Sequence, residues 1–201
     1  MRRPTLTATT ATFVLLVALA PPASALPSAD DLKSSIENRA GEIEKYRALL
    51  ESNDQALRLA ALDALLAEDN LALRQFAYRT AFSGTDQTMR AIALKRKIGE
   101  MKTLVIDVSA GKNPTESEKK VLTSWGGTYA FEIQSFDEKT GTFVSNDHAH
   151  KGKGQVSGTT LSFAQNYCNG TFLLGDGAVL TGTLGCKEKW EGRFTGKVTL
   201  D

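Results

Sequence analysis

The spacing of apolar residues divides the chain into two parts near residue 100. From Ser28 to about Glu100 apolar residues recur every three or four positions, which is typical of one face of a helix. Beyond about Thr103 they alternate with polar residues between Gly-containing turns, which is typical of half-buried strands. The pattern predicts an α+β protein with an N-terminal array of short helices followed by an antiparallel β-meander, folded as a small barrel or sandwich.

The first predicted helix begins at Ser28. Ser28 and Asp31 have the spacing of a capping box, in which each side chain satisfies a free backbone N–H of the first turn. One apolar stripe follows, formed by Leu32, Ile36, Ala40, Ile43, Tyr46 and Leu50. We expect this stripe to be buried.

A sequence unit then repeats with a period of 16 residues. The units begin at Asp54, Asn70 and Asp86, whose side chains can cap a helix. Each unit places an Arg, an Ala and a large side chain at fixed offsets: Arg58, Arg74 and Arg90; Ala61, Ala77 and Ala93; Leu62, Tyr78 and Leu94. The repeat predicts three short helices that pack closely at the alanines.

This order of Asp, apolar residue, Arg and Ala over residues 54–98 resembles the arginine-bearing helix of HEAT-type repeats. The resemblance implies helices that stack into a solenoid and bind other proteins. For Arg58, Arg74 and Arg90 themselves, the favoured interpretation is a ladder of charge pairs to the preceding acids and to solvent. The alternative is a stripe that binds a ligand.

The segment after the helices has its own elements. Residues 103–109 are rich in β-branched side chains and predict a lead-in strand. A short helix should follow, with Asn113 as its cap, Pro114 in the first helical position and Glu116 completing the capping box.

Six strands are predicted in the remaining chain, beginning at Gly127, Gly141, Gly158, Gly170, Gly182 and Gly192. The gaps between them are too short for parallel crossovers, so the strands form an antiparallel meander. The Gly-Thr-rich strands are similar in texture to avidin-like or lipocalin-like barrels, but no signature of either family is present, so the similarity implies no ligand. The polar stretch 146–154 is expected to be a flexible loop.

Cys168 and Cys186 are the only two cysteines in the chain. A two-residue turn at Asp176 and Gly177 would set apolar residues opposite threonines. A three-residue loop, 176–178, instead sets Cys168 opposite Cys186 on the apolar face. We therefore expect a disulfide that fastens this hairpin.

The first 25 residues carry two arginines, a short apolar run and a small-residue cleavage motif ending at Ala25. They predict a signal peptide, hence an exported protein, periplasmic or extracellular, with no membrane insertion after cleavage. The predicted domains are 1–25 signal peptide, 26–102 helical HEAT-like domain, 103–125 connector and 126–201 β domain.

The charged residues are balanced in number, with 24 Lys and Arg against 23 Asp and Glu, which argues against nucleic acid as a partner.

Candidate chemistry is sparse, and we predict no catalytic residue, no metal site and no cofactor. His148 and His150, with Asp147 nearby, provide too few ligands for a zinc or copper site. Residues 169–171 form an N-glycosylation triplet at Asn169.

Two further sets of side chains are candidates for a site. The carboxylates could meet as in glycoside hydrolases, and they are Glu132, Asp137, Asp176, Glu188 and Glu191. The aromatics are Trp125, Tyr167 and Trp190. The aromatics lie near strand ends, where they could stack on a sugar, grip a partner or plug the β domain.

These features favour an exported, non-enzymatic protein that binds a protein or glycan partner through its helical layer or the open end of its β domain. The alternative is a carboxylate-based hydrolase that acts on cell-envelope or extracellular glycans.

Overall fold

The computed structural model describes residues 28–147 and 150–200, so the predicted signal peptide and His148 lie outside the described residues. The described residues divide into two compact units, with the boundary between Gly41 and Glu42. The helices are α1 Ala29–Leu50, α2 Gln55–Ala67, α3 Leu71–Ser83, α4 Gln87–Glu100 and α5 Glu116–Trp125. The strands are β1 Thr103–Ala110, β2 Thr128–Asp137, β3 Thr142–Asp147, β4 His150–Ser157, β5 Thr160–Gln165, β6 Cys168–Leu174, β7 Val179–Cys186 and β8 Gly192–Thr199.

The 16-residue repeat forms the three predicted helices α2, α3 and α4. Asp54, Asn70 and Asp86 each accept hydrogen bonds from the backbone N–H groups two and three residues further on. The repeated alanines and the large residues after them are buried. A HEAT-type solenoid is not confirmed, because each unit forms a single helix rather than a helix pair.

The three repeated arginines do not pair with the preceding acids, contrary to expectation. In each case Nη1 donates to the backbone carbonyl six residues earlier, that of Ser52, Glu68 or Gly84. Arg58 also pairs with Asp86, at 2.7 Å between Nη2 and Oδ2, and this hydrogen bond lowers the pKa of the Asp86 carboxyl. Each arginine therefore holds the chain segment that leads into its own helix.

The expected burial of the α1 stripe is wrong for its first half, from Leu32 to Ala40. Ser28 caps the helix through Asp31 as predicted, but Leu32 and Ile36 are 53% and 59% exposed. In the second unit the stripe becomes half-buried and ends at the buried Leu50. An apolar spacing shows that a helix has an apolar face, but it does not supply a surface to cover that face.

The β half is a closed barrel in which every strand is antiparallel to its neighbours, in the order β1 to β8. The predicted lead-in strand is β1, and it closes the barrel: Asp107 lies opposite Thr128 of β2 and opposite Lys197 of β8. Large inward side chains fill the interior, among them Ile106, Phe131, Phe163, Phe172, Leu184 and Phe194.

The polar stretch 146–154 is expected to be a loop, but its described residues belong to strands: 146–147 end β3 and 150–154 begin β4. Two inward positions of β4 are Gly152 and Gly154. A Cβ at Gly154 would collide with the ring of Phe143, and one at Gly152 with Gln165 and Ser145. These two inward positions therefore carry no apolar side chain, and the alternation that marks a strand is absent from this part of the sequence.

The cysteine hairpin has the predicted register. Cys168 lies opposite Cys186, Phe172 opposite Gly182 and Leu174 opposite Leu180. The two sulfurs form a disulfide. Gly177 in the loop adopts the left-handed conformation, with φ 72°, which glycine tolerates without steric cost.

The two ends of the barrel are covered differently. At the end formed by the β2–β3, β4–β5 and β6–β7 turns, α4 packs on the barrel, and Arg96 of α4 pairs with Glu138 at 3.0 Å. At the opposite end, the α5 end, α5 lies against β1 and β8. The cap of α5 is Thr115, in a capping box with Glu118, rather than the predicted Asn113.

Within the described ranges, no helix combines the length and the apolar composition needed to cross a bilayer.

Candidate functional site

The two tryptophans of the chain meet at the α5 end of the barrel. Trp125 is the last residue of α5, and Trp190 ends a short 3₁₀ helix between β7 and β8. Their ring centroids are 5.7 Å apart, and Trp125 also packs on Tyr129 and Phe194 at 5.0 and 5.4 Å. The tryptophan pair therefore forms one wall at this end.

A pocket of about 390 Å³ opens beside this pair, and we call it the end pocket. Its volume falls in the range of small-molecule sites, about 300–1,000 Å³. It is lined by Ser124, Trp125, Thr128, Tyr129, Ala130, Asp147, His150, Asn166, Lys189 and Trp190. Aromatic rings and hydrogen-bonding side chains of both signs of charge thus share one concave surface.

Asn166 is the most unusual residue of the end pocket. It lies in the turn between β5 and β6 with φ 53°, a left-handed conformation that costs free energy in most residues and is tolerated best by Asn and Asp. Its Oδ1 is buried and has no hydrogen-bond partner among the described residues. A buried acceptor without a partner costs about 1–3 kcal/mol, so a donor that reached this oxygen would stabilise the folded chain.

Lys189 covers one face of Trp190, with Nζ 4.9 Å from the ring centroid. Because the lysine is exposed, this cation–π contact contributes only about 0.5–1 kcal/mol. A ligand can therefore displace the ammonium group from the ring at little cost.

Tyr129 belongs to the pocket wall rather than to acid–base chemistry. Burial raises the pKa of its hydroxyl, and the nearby Asp147 carboxylate raises it further. The neutral hydroxyl donates to the backbone carbonyl of Gln165 at 3.1 Å.

The disulfide joins two chain segments that contribute residues to the end pocket. Cys168 follows the turn that carries Asn166, and Cys186 precedes the segment that carries Lys189 and Trp190. The backbone of the two segments is also joined, since Lys187 N–H donates to the Tyr167 carbonyl at 3.0 Å. The bond thus ties together two walls of the pocket.

The five candidate carboxylates do not converge. Asp137 and Asp176 lie in turns at the end covered by α4, Glu188 and Glu191 lie at the α5 end, and Glu132 points outward from β2. Asp137 has a turn role, because the N–H groups of Lys139 and Thr140 bond its carboxylate and lower its pKa.

The remaining candidates are spread around the barrel. His150 lines the end pocket with its ring 6.2 Å from Tyr167, while His148 lies outside the described residues. Among the described residues no three His, Cys, Asp or Glu side chains are grouped as metal ligands. Asn169 of the glycosylation triplet is exposed on the outer face of β6.

A larger groove of about 710 Å³ crosses the outer face of the barrel over strands β2 to β6. None of its lining residues has a left-handed backbone or a buried polar atom without a partner among the described residues. The end pocket is therefore the stronger candidate.

Sequence reasoning singled out Trp125, Trp190, Asp147 and His150, but not that they lie together, and it missed Asn166 and Lys189. An Asn between two strands is a turn signal, and nothing in the sequence indicates that this residue lines a pocket or that its oxygen is buried without a partner.

Comparison with known proteins adds no relationship, because no family model, curated protein or solved structure matches this chain.

Proposed function

We propose that this chain is an exported, non-enzymatic binding protein and that the end pocket is its ligand site. The observation that carries the proposal is the tryptophan pair beside Asn166 in the lining of one pocket, where the Oδ1 of Asn166 is a buried acceptor without a partner among the described residues. Small-molecule sites combine apolar and aromatic walls with a few placed polar groups in this way.

The spread of the carboxylates supports binding over hydrolysis. Glycoside cleavage needs two carboxyl groups that flank one bond within about 10 Å of each other. Asp147 is the carboxylate that lines the end pocket among the described residues, and none of the five candidates belongs to its lining, although Glu188 and Glu191 lie at the same end of the barrel. No observation favours a second function.

Export is supported by two independent features. Disulfides form and persist chiefly in oxidising compartments, and Cys168 and Cys186 are bonded. The first 25 residues have the composition of a signal peptide.

The test uses tryptophan fluorescence, because the only two tryptophans both line the end pocket. The purified protein is screened against neutral oligosaccharides, short peptides, fatty acids and nucleotides. We expect at least one class to shift the emission saturably and to raise the melting temperature, since a ligand that binds only the folded state stabilises it.

Two variants make the screen specific to the pocket. Trp190→Ala should lose the stabilisation by the ligand, whereas Leu173→Ala, which trims an exposed apolar residue on the outer face of β6, should keep it. If no class binds, or if Trp190→Ala is stabilised as well as the wild type, the proposal is wrong.

A further inference from the structure

We propose that the end pocket binds a neutral pyranose ring of a glycan. This inference rests on the proposed function and names its ligand class. It follows from three properties of the pocket taken together: an aromatic wall with a half-buried indole, an acceptor that needs a donor, and side chains of both signs of charge.

The aromatic wall matches one face of a sugar. A pyranose has a face of C–H groups and a rim of hydroxyls, so it can stack on an indole while its rim stays polar. Trp190 is half-buried and has Lys189 over its ring, so a stacked sugar would take the place of the ammonium group. The displaced lysine would remain close enough to donate to a hydroxyl of the rim.

The Asn166 oxygen needs a hydroxyl or N–H donor from the ligand, because no described protein group supplies one. A sugar hydroxyl both donates and accepts. The same ligand rim can therefore donate to Asn166 and accept from Lys189 or His150, all of which line the pocket.

The charges and the shape disfavour other classes. The wall carries the Asp147 carboxylate as well as the Lys189 ammonium group, so a phosphate or a nucleotide would meet a like charge. A fatty acid would need a long apolar cavity, but Phe131, Phe163 and Phe172 fill the barrel interior. Peptides that present an aromatic side chain remain as the competing outcome of the test.

The experiment is calorimetric titration with N-acetylglucosamine, methyl β-glucopyranoside, methyl α-mannopyranoside and the corresponding trisaccharides. Calorimetry is used because Trp190→Ala removes one of the two tryptophans on which a fluorescence signal would depend. We expect saturable binding of at least one saccharide to the wild type, loss of binding in Trp190→Ala, and partial retention in Trp190→Phe, which keeps an aromatic face.

A matched pair at Asn166 tests the acceptor. Asn166→Gly removes the oxygen but tolerates the left-handed backbone, so the turn should fold. Asn166→Asp keeps an acceptor at the same place. We expect Asn166→Gly to weaken binding about tenfold and Asn166→Asp to retain it.

The outcomes separate this inference from the proposed function. If no saccharide binds but a peptide, fatty acid or nucleotide does so in a Trp190-dependent way, the carbohydrate inference is overturned and the proposed function stands. If Asn166→Gly, folded by its melting curve, binds saccharide as tightly as the wild type, the assigned contact is wrong and the inference fails. If no ligand of any class binds, both are wrong.

Discussion

Arg58, Arg74 and Arg90 occupy the same place in the repeat but very different surroundings. Arg90 alone of the three is buried, with 7% of its surface exposed. Its Nη1 donates to the carbonyls of Phe82 and Gly84, and its Nη2 donates to those of Leu174 and Gly175. One guanidinium group thus joins the end of α3 to the β6–β7 turn of the barrel.

Replacing Arg90 should destabilise the folded protein, because the carbonyls that it bonds would be left without donors. We expect Arg90→Met to lower the free energy of unfolding by about 3 kcal/mol, measured by urea denaturation. Arg74→Met is the matched control, since Arg74 makes one long bond, at 3.3 Å, to the Glu68 carbonyl. Its change should stay within about 0.5 kcal/mol. Equal losses in the two variants would contradict the structural role assigned to Arg90.

Glycines within the strands explain why the alternation of apolar and polar residues does not predict every strand of the barrel. In β4 two inward positions are glycines, and in β7 and β8 Gly182 and Gly196 lie beside the ring or backbone of Phe172. A small residue at these places makes room for a large neighbour from the adjacent strand. Glycine also occurs in turns, so the sequence alone does not show whether a given glycine forms a turn or makes room for a neighbour inside a strand.

Gly182 and Gly185 of β7 test this distinction within one strand. A Cβ at Gly182 would collide with the backbone of Thr171 and Phe172, whereas one at Gly185 meets nothing within 4 Å. We expect Gly182→Ala to destabilise the protein by about 1–3 kcal/mol. Gly185→Ala should be neutral or stabilising by up to about 1 kcal/mol, because it reduces the entropy of the unfolded chain.

Thermal and urea denaturation of the two single variants provide the comparison. A neutral Gly182→Ala would show that β6 and β7 are spaced more widely than the structure has them.

The barrel is stabilised by hydrogen-bonded pairing of every strand with two neighbours and by the disulfide at one end. β1 pairs with both β2 and β8, so none of the eight strands is left as a free edge. The disulfide adds a covalent tie between the β5–β6 turn and the segment with Trp190, at the end where the ligand site is proposed.

Reduction of the disulfide should destabilise the whole molecule. The bonded cysteines are 18 residues apart, and a loop of this length corresponds to about 3 kcal/mol on the chain-entropy model. For a chain of this size we expect the melting temperature to fall by about 6–12 °C on adding reductant. The double variant Cys168→Ala/Cys186→Ala should melt near the reduced protein and should not respond to reductant. An unchanged wild-type melting temperature would be the contrary result.

Much of the architecture could be predicted from the chain alone. The caps Asp54, Asn70 and Asp86, the division into helices and strands, and the pairing of Cys168 with Cys186 all follow from hydrogen bonds or periodicities that span a few residues. Such features depend on neighbours along the chain, so they can be read before any tertiary contact is known.

Other properties of the protein depend on contacts between segments that are distant in the sequence. The closure of β1 on β8, the strand β4, the exposure of Leu32 and Ile36, and the separate environments of the three arginines depend on what packs opposite each residue. The end pocket belongs to this group, because Trp125, Asn166 and Trp190 come from three different connections of the barrel. Burial and the partners of a polar group are properties of the space around a side chain, and that space is created by the fold.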